Sequence, residues 1–418
     1  MQPHSQGVLS RLQLRSRAHI AALRHGKPSH KLRVVLVVGQ DGAAGTLAFL
    51  AAILRQAGET VGVATQAYIE IGKERVTGSD QADISGDPAR LQALLAQMRK
   101  AGCTYALFEV PPELPAHQFV GVKPEMVIVR RCGDDHTDQM TVKARLSILN
   151  SLLMRRPEFV VYNRDDPSSS ELAHLSGKEG VISYGTHQKA ECRIASVQLH
   201  PKGSAVQLII DHQTDITLTS VVTGKQAIYN AAAAAASAYV LHVPIAAIED
   251  GVMQTNTVPG LLEFIPIQRP YQIVLDAAVT PGGLAESLEA LKHFAKNRLI
   301  VMLGAPLGVH AAWRPQLGEI ASQHADRLIV TDGEFPPEQS ANQVREQLLQ
   351  GVVAAGGEAK TEEIPDREAA IEKAVSIARR GDIIVLAGMT LRPYRQLGTQ
   401  RLPWSDRKIV ADLFGLEN

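Results

Sequence analysis

Residues 37–54, VVGQDGAAGTLAFLAAIL, have the pattern of a phosphate-binding loop. A hydrophobic run precedes the loop, Gly39 and Gly42 permit a tight turn, and apolar residues at helical spacing follow. A strand, a glycine turn and a helix N-terminus together present backbone N–H groups to an anion. A loop that binds a nucleoside triphosphate also needs a lysine for the terminal phosphates and a hydroxyl for Mg²⁺, but these positions are Ala43 and Ala44. The pattern therefore predicts either anion binding by the backbone alone or a turn that the fold requires.

Polar residues also follow several other apolar runs, where open α/β sheets place their ligands. Glu109 follows YALF, and His136 lies in the acidic loop DDHTD. Asn163 and Asp165 follow the run FVVY, and Asp276 ends the run IVLD. These side chains are candidates for binding a metal or a ligand.

Each candidate also has a structural interpretation. Glu109 is placed to cap the turn PPELPA, and the loop around His136 has the composition of a solvated turn. The stretch NRDDP after the strand is a natural turn, which would give Asn163 and Asp165 a local role. Asp276 precedes a Thr-Pro pair that is typical of a helix start. The residues alone leave both interpretations open.

The elements that must position these residues alternate between apolar strands and helices from residue 33 onward. This alternation predicts a parallel sheet with helices on both faces. Between residues 181 and 222 the apolar period becomes two, which predicts an antiparallel flap at the sheet edge. A second alternating series follows an interruption at Pro259 and Gly260, and it predicts a separate α/β domain.

Composition limits the class of protein. The chain has 418 residues, 45% of them hydrophobic, with 43 basic and 43 acidic side chains, so bulk charge gives no case for nucleic acid. The three cysteines are scattered, which fits a reducing cytoplasm and predicts neither disulfides nor a zinc site. No apolar run is long enough for a transmembrane helix. A cytoplasmic protein is expected.

The first 32 residues contain arginines and no acid, with apolar residues near one helical face. A basic helix that packs on its own domain is one prediction. A contact for a partner or an anionic surface is the other.

Several of these stretches, taken in order, resemble the ATP-dependent Mur ligases, closest to the branch that adds the third amino acid of the muramyl peptide. The resemblance runs from about residue 33 to about 395. It implies a Mur-ligase-like central parallel-sheet domain of the ATPase type and a C-terminal Rossmann-like α/β domain. The implied boundaries are 1–32 for the basic leader, 33–262 for the central domain and 263–418 for the C-terminal domain, with no N-terminal UDP-binding domain.

The resemblance also gives roles to residues that match the family's motifs. Glu109 and His136 match metal ligands, and Lys143 matches a lysine that is carbamylated in the family. Asn163 and Asp165 match the segment near the nucleotide base. In the cofactor-binding set the matches are Gly39, Gly42, Thr46, Asn163, Asp165 and Asn230. Lys143 and Asp276 are the candidates for a catalytic role.

Other family positions are changed in this chain. The loop lysine and hydroxyl are alanines, Leu261 replaces an arginine that closes on ATP, and Val279 replaces a histidine. The segments that read the incoming amino acid are replaced by DGEFPPE and GMTLRP. Four arginines remain as candidate cations for phosphates: Arg130, Arg131, Arg314 and Arg392.

These changes predict that ATP and Mg²⁺ bind weakly or not at all. The expected function is that of a catalytically impaired Mur-ligase-like scaffold or regulator in peptidoglycan precursor synthesis, with an active Mur ligase or another cell-wall enzyme as partner. A divergent ATP-dependent ligase of a carboxylate and an amine, with relocated catalytic groups, is the first alternative. A nucleotide or small-ligand sensor is the second.

Overall fold

The structure is a computed structural model. It describes residues 8–39, 42–76, 88–110, 119–132, 139–168, 172, 179–200, 203–211, 213–307, 309–389 and 392–416. The chain divides into two compact units. The N-terminal unit comprises Met1–Gln198, Ser204–Val221 and Ile228–Asn256, and the C-terminal unit comprises Leu199–Gly203, Val222–Ala227 and Thr257–Asn418.

One mixed sheet organises the first part of the chain. Its eleven strands are arranged in the order β11-β10-β9-β8-β7-β6-β1-β5-β2-β3-β4. The strands are β1 (Arg33–Val38), β2 (Val61–Ala64), β3 (Ile69–Ile71), β4 (Glu74–Val76), β5 (Tyr105–Val110), β6 (Met126–Val129), β7 (Phe159–Asn163), β8 (Val181–Gly185), β9 (Cys192–His200), β10 (Gly203–Ile210) and β11 (Thr214–Ser220).

The centre of this sheet is parallel, as the alternating pattern predicts. Strand β1 pairs in parallel with both β5 and β6, and β6, β7, β8 and β9 also pair in parallel. The antiparallel flap predicted for residues 181–222 is therefore wrong for its first part, and antiparallel pairing is seen between β10 and β11. A period of two does not distinguish the two pairings, because it reports which strand faces are buried and not the direction of the neighbour.

In the described part of the chain, six α-helices accompany this sheet: α1 (Val8–Arg24), α2 (Ala43–Gln56), α3 (Pro88–Lys100), α4 (Gln139–Leu153), α5 (Lys225–Val240) and α6 (Ile245–Met253). Strand β1 and helix α2 both belong to the core, because Val34–Val38 and Leu47, Leu50 and Leu54 are almost fully buried. The alanine-rich α5 is also buried, and its small side chains permit close packing. Helix α6 approaches α2 so closely that a methyl group at Gly251 would overlap the backbone of Ile53.

The basic leader forms α1, and one of its faces packs on the N-terminal unit. Ala18 and Ala22 are buried, and Ala22 lies against the backbone at Gly121. The opposite face exposes Ile20 and Leu23. The prediction of a helix packed on its own domain agrees with this burial, and the prediction of an outside contact is untested. None of the described helices has both the length and the apolar character needed to cross a bilayer.

The C-terminal unit is built around a second sheet of six strands, in the order β12-β13-β17-β14-β15-β16, with a separate hairpin β18-β19. The strands are β12 (Glu263–Ile265), β13 (Gln272–Asp276), β14 (Leu299–Leu303), β15 (Arg327–Val330), β16 (Thr361–Glu363), β17 (Ile383–Ala387), β18 (Tyr394–Leu397) and β19 (Gln400–Pro403). The helices are α7 (Pro281–Phe294), α8 (Trp313–His324), α9 (Ala341–Ala354), α10 (Arg367–Ile377) and α11 (Asp406–Phe414).

Helices α8 and α9 touch backbone to backbone. A methyl group at Gly318 would overlap the carbonyl oxygen of Leu348, and one at Gly351 would overlap the carbonyl oxygen of Pro315. Only glycine permits this approach. The pair therefore packs closer than side chains would allow.

Candidate functional site

The carboxyl ends of five parallel strands meet at one edge of the eleven-stranded sheet. Val38 lies beside Val110 on β5 and Val129 on β6, while Asn163 on β7 lies beside Tyr184 on β8. The loops that follow these strands carry most of the predicted site residues. This edge is the place where ligands bind in open α/β sheets, and it is the candidate site of the N-terminal unit.

Gly39 and Gly42 shape the loop after β1. Gly39 has φ +145°, and a Cβ there would lie 2.6 Å from Cβ of Arg130 and 2.9 Å from the backbone nitrogen of Arg131. Gly42 has φ +83° and precedes the first residue of α2. Both positions need glycine, one for space and one for its backbone conformation. The glycines are thus explained by the turn itself.

The first turn of α2 brings no charge to this loop. Ala43 is buried, Ala44 is half-buried, and neither side chain has a polar group. The next hydroxyl, on Thr46, is fully buried and donates a hydrogen bond to Oδ1 of Asn230 over 3.4 Å. The structure brings these two predicted cofactor-binding residues together, but both are 0% exposed, so they connect α2 to α5. Nδ2 of Asn230 has no hydrogen-bond partner among the described residues.

Asn163 and Asp165 form a compact turn after β7. Oδ1 of Asn163 accepts a hydrogen bond from the backbone N–H of Asp165 at 3.0 Å. The Asp165 carboxylate accepts four hydrogen bonds, from the N–H and hydroxyl of Thr186, the N–H of His187 and the hydroxyl of Tyr229. Burial opposes ionisation, but these hydrogen bonds outweigh it and hold the pKa of Asp165 below its ordinary value. Both carboxylate oxygens are therefore used within the protein.

Two tyrosines and one arginine, whose partners the sequence did not indicate, complete this network. Arg130 is buried, and its Nη1 donates to the hydroxyl of Tyr184 at 3.0 Å and to the carbonyl oxygen of Tyr229 at 2.8 Å. Burial, together with the hydrogen bond to Asp165, raises the pKa of Tyr229 to about 12, so its hydroxyl is a donor at neutral pH. Arg130, a candidate phosphate cation, thus uses Nη1 inside the protein.

The other candidates in this unit lie on separate elements. Glu109 is half-buried on β5, and its Oε2 accepts a hydrogen bond from the backbone N–H of Gln66 at 2.8 Å. Lys143 is exposed on α4. His136 lies outside the described residues. Within the described part of the chain, no group of three or more metal-binding side chains is assembled.

In the C-terminal unit, Asp276 is the last residue of β13 and is buried beside Ala387 of β17. The hydroxyl of Thr280 accepts a hydrogen bond from the N–H of Gly283 at 3.0 Å and so caps α7, with Pro281 as the first helical residue. The predicted helix start is present here. The cap is Thr280 and not Asp276.

Three arginines of the C-terminal unit are at least nine-tenths buried, which the sequence did not predict. Arg367 pairs side-on with Asp406, using Nε and Nη2, and Trp404 also donates to Asp406. Arg345 binds Glu363 and Asp332. The partners of the third, Arg314, are glutamines, as described below.

The residues at the α2 start do not fit a Mg²⁺–nucleoside triphosphate complex. Backbone N–H groups remain, but positions 43 and 44 carry neither an ammonium group nor a hydroxyl, and the Thr46 hydroxyl is buried against Asn230. Backbone donors alone supply no net charge against a polyanion.

Comparisons with known proteins identify the relatives of this chain. Residues 37–238 match the Mur ligase middle domain, and residues 262–390 match the glutamate ligase domain of Mur ligases. The UDP-N-acetylmuramoyl-L-alanyl-D-glutamate--2,6-diaminopimelate ligase of Halalkalibacterium halodurans is 28% identical over 411 residues, which are 97% of this chain and 82% of that protein. The ligase of the same name from Geobacillus thermodenitrificans is 26% identical over 406 residues, with 95% of this chain and 81% of that protein covered.

Solved structures share the fold. The Mycobacterium tuberculosis folylpolyglutamate synthase complexed with ADP and AMPPCP has a TM-score of 0.73 at 16% identity, with 96% of each chain covered. MurF from Acinetobacter baumannii has a TM-score of 0.70 at 17% identity, with 97% of this chain and 81% of that chain covered. The expected α/β fold is confirmed by these likenesses and by the two sheets. The chain therefore belongs to the Mur ligase family, with a middle domain and a C-terminal domain.

Proposed function

We propose that this chain is a Mur-ligase-like protein with impaired ligation chemistry that works as a scaffold or regulator of peptidoglycan precursor synthesis. Its partner would be an active Mur ligase or another enzyme of cell-wall synthesis. The observation that carries the proposal is the start of α2, where Ala43 and Ala44 replace the charged and hydroxyl groups that a phosphate-binding loop needs.

Phosphoryl transfer to a carboxylate depends on position and on neutralising charge. Loss of one well-placed donor commonly costs ~3 kcal/mol of transition-state stabilisation. Here the ammonium and the hydroxyl are both missing, and the next hydroxyl along α2, that of Thr46, is buried against Asn230. Asp165 matches a residue near the nucleotide base, but its carboxylate oxygens already accept hydrogen bonds from Thr186, His187 and Tyr229. These features support a site that no longer activates ATP.

The C-terminal unit supports the same proposal. Val279 and Leu261 stand where the family has a histidine and an arginine, and Val279 packs against the apolar core. Phe335, in the segment that replaces the amino-acid-reading arginine motif, also packs there. Apolar groups at these places favour a preserved fold over preserved chemistry.

The divergent ligase is the main competing function. Glu109 and the buried Asp276 favour it, since Asp276 is the last residue of β13 and Glu109 the last but one of β5, and catalytic groups are placed at such strand ends. Several relatives are, by name, ligases of this kind. A sensor is the other alternative, and the intact glycine turn, with the N–H groups of a helix start behind it, favours that reading.

Calorimetric titration with ATP, with and without Mg²⁺, separates these functions. The proposal expects weak binding, in the high micromolar range or worse, and no ATP hydrolysis that depends on an added amino acid. Turnover of about 1–10³ per second with an amino acid would establish the ligase. Tight binding without turnover would establish the sensor. A scaffold further requires that the purified chain alter the rate or the oligomeric state of an active Mur ligase.

A further inference from the structure

Arg314 is a buried cation without a buried anion. The residue is 4% exposed and lies in the first turn of α8. Its Nη1 donates to Oε1 of Gln339 at 2.8 Å and to Oε1 of Gln347 at 2.7 Å. Both partners are neutral amides, and no carboxylate bonds to Arg314 among the described residues. A guanidinium in such a place retains its charge and lacks a counter-ion.

The two other buried arginines of this unit have the carboxylate partners that Arg314 lacks among the described residues. Arg367 uses its Nε and Nη2 as a fork for the two oxygens of Asp406. Arg345 has Glu363 on Nε and Asp332 on Nη1. On Arg314 the corresponding Nε has no partner and is buried. Its Nη2 makes no hydrogen bond within the described residues and is not sealed from solvent.

The free Nε–Nη2 edge of Arg314 has the shape that a carboxylate fits. Side-on pairing places two parallel N–H groups against two oxygens of a planar acid. Helices α8 and α9 touch at Gly318 and Gly351, one turn beyond Arg314 and Gln347 respectively, so the space beside the guanidinium suits a small ligand only. Because Nε is covered and Nη2 is not, a small anion would approach this edge from the side of Nη2.

We propose that Arg314, held by Gln339 and Gln347, is a binding site for the carboxylate of a small ligand. The glutamines fix one edge of the guanidinium, and the ligand takes the other. Burial lowers the pKa of Arg314, and no neighbouring acid among the described residues raises it again, which agrees with a cation that lacks its anion. The site belongs to the C-terminal unit and uses no residue of the loop after β1, so it does not depend on the proposed loss of ATP chemistry.

The first test uses the intact chain and sodium acetate, with sodium chloride at equal ionic strength as the reference. Acetate should raise the melting temperature saturably, and it should shift the Nε–H signal of Arg314 in a ¹H–¹⁵N spectrum. Arg314→Lys keeps the charge and loses the fork, so its apparent affinity for acetate should fall at least about tenfold. No movement of the Nε–H signal in the wild type would overturn the site even if every variant misfolded.

The second test supplies the missing carboxylate from within. Gln347→Glu is nearly isosteric and places an acid beside Nη1. It should raise the melting temperature without acetate and remove most of the acetate response. Gln350→Glu, which adds the same charge to an exposed position of α9, is the matched control and should do neither. The proposal is overturned if the two variants behave alike, or if inorganic phosphate protects the chain and acetate does not.

Discussion

The sheet edge of the N-terminal unit and the α8–α9 pair of the C-terminal unit treat buried charge in opposite ways. At the sheet edge, the carboxylate of Asp165 has four neutral donors from its own unit. Between α8 and α9, the guanidinium of Arg314 has only two amide acceptors and leaves Nε unused. Asp165 matches a nucleotide-binding position of the family, yet its hydrogen bonds all come from within the protein. Arg314 matches no family motif named above, and its Nε has no hydrogen-bond partner in the described part of the chain. The number of hydrogen-bond partners within the protein, more than the residue type, is our reason for giving Asp165 a structural role and Arg314 a ligand-binding one.

The largest expected effect contrasts two arginines. Arg367→Gln should destabilise the C-terminal unit by about 3–5 kcal/mol, because it leaves Asp406 buried without its cation. Arg314→Gln should cost less than about 1 kcal/mol in carboxylate-free buffer, because no anion is stranded. Both tryptophans, Trp313 and Trp404, lie in this unit, so urea unfolding followed by tryptophan fluorescence measures it directly. Equal losses would remove the distinction between a paired and an unpaired arginine.

Asp165→Asn should destabilise the N-terminal unit by about 2 kcal/mol at neutral pH, through weaker hydrogen bonds from Thr186, His187 and Tyr229. The pKa of folded Asp165 is lowered, so its stabilisation is present above the unfolded pKa of about 3.9 and is lost as pH falls through the folded value. The difference between wild type and variant should therefore shrink in acid. Thermal unfolding followed by circular dichroism across pH measures this, with exposed Asp215→Asn as control. A constant difference would mean that charge is irrelevant there.

Restoring the loop tests whether the α2 start limits nucleotide binding. Ala43→Lys with Ala44→Thr should tighten Mg²⁺–ATP binding about tenfold, or ~1.4 kcal/mol, and should not restore ligation because Leu261 and Val279 remain. Calorimetry measures the first and phosphate release the second. Ala52→Lys, farther along α2, controls for added charge. Equal affinity in the restored variant would indicate that the edge is closed for another reason, such as burial of position 43.

The smallest effect concerns one hydroxyl. Tyr229→Phe removes a donor to Asp165 at 2.7 Å and should destabilise the N-terminal unit by about 1 kcal/mol. It should also raise the pKa of Asp165, since a hydrogen bond to the ionised form is lost. Tyr239→Phe on the same helix is the control. A pKa of Asp165 that does not move would assign its depression to Thr186 and His187 alone.

Sequence patterns predicted the frame of both units and only part of their chemistry. RVVLVV, YALFEV and FVVYN became strands as predicted, because their buried apolar runs specify a parallel sheet regardless of distant partners. The partners of Asp165 and Arg130 could not be predicted, since Tyr184 and Tyr229 come from remote parts of the chain and meet only in the fold. Helix α9 was not predicted, although its Ser340–Gln343 capping box was visible as a local signal. The roles of Glu109 and His136 remain predictions.

The glycine contact between α8 and α9 corresponds to a regular spacing in the amino-acid sequence. Arg314 precedes Gly318 by four residues, and Gln347 precedes Gly351 by four. On each helix the polar residue therefore lies one turn before the glycine that permits the close helix contact. The close contact of the two backbones accompanies the hydrogen bond between Arg314 on α8 and Gln347 on α9. Other chains with R-x-x-x-G and Q-x-x-x-G on two helices in contact can therefore be searched for a similarly held arginine, even where their other motifs differ.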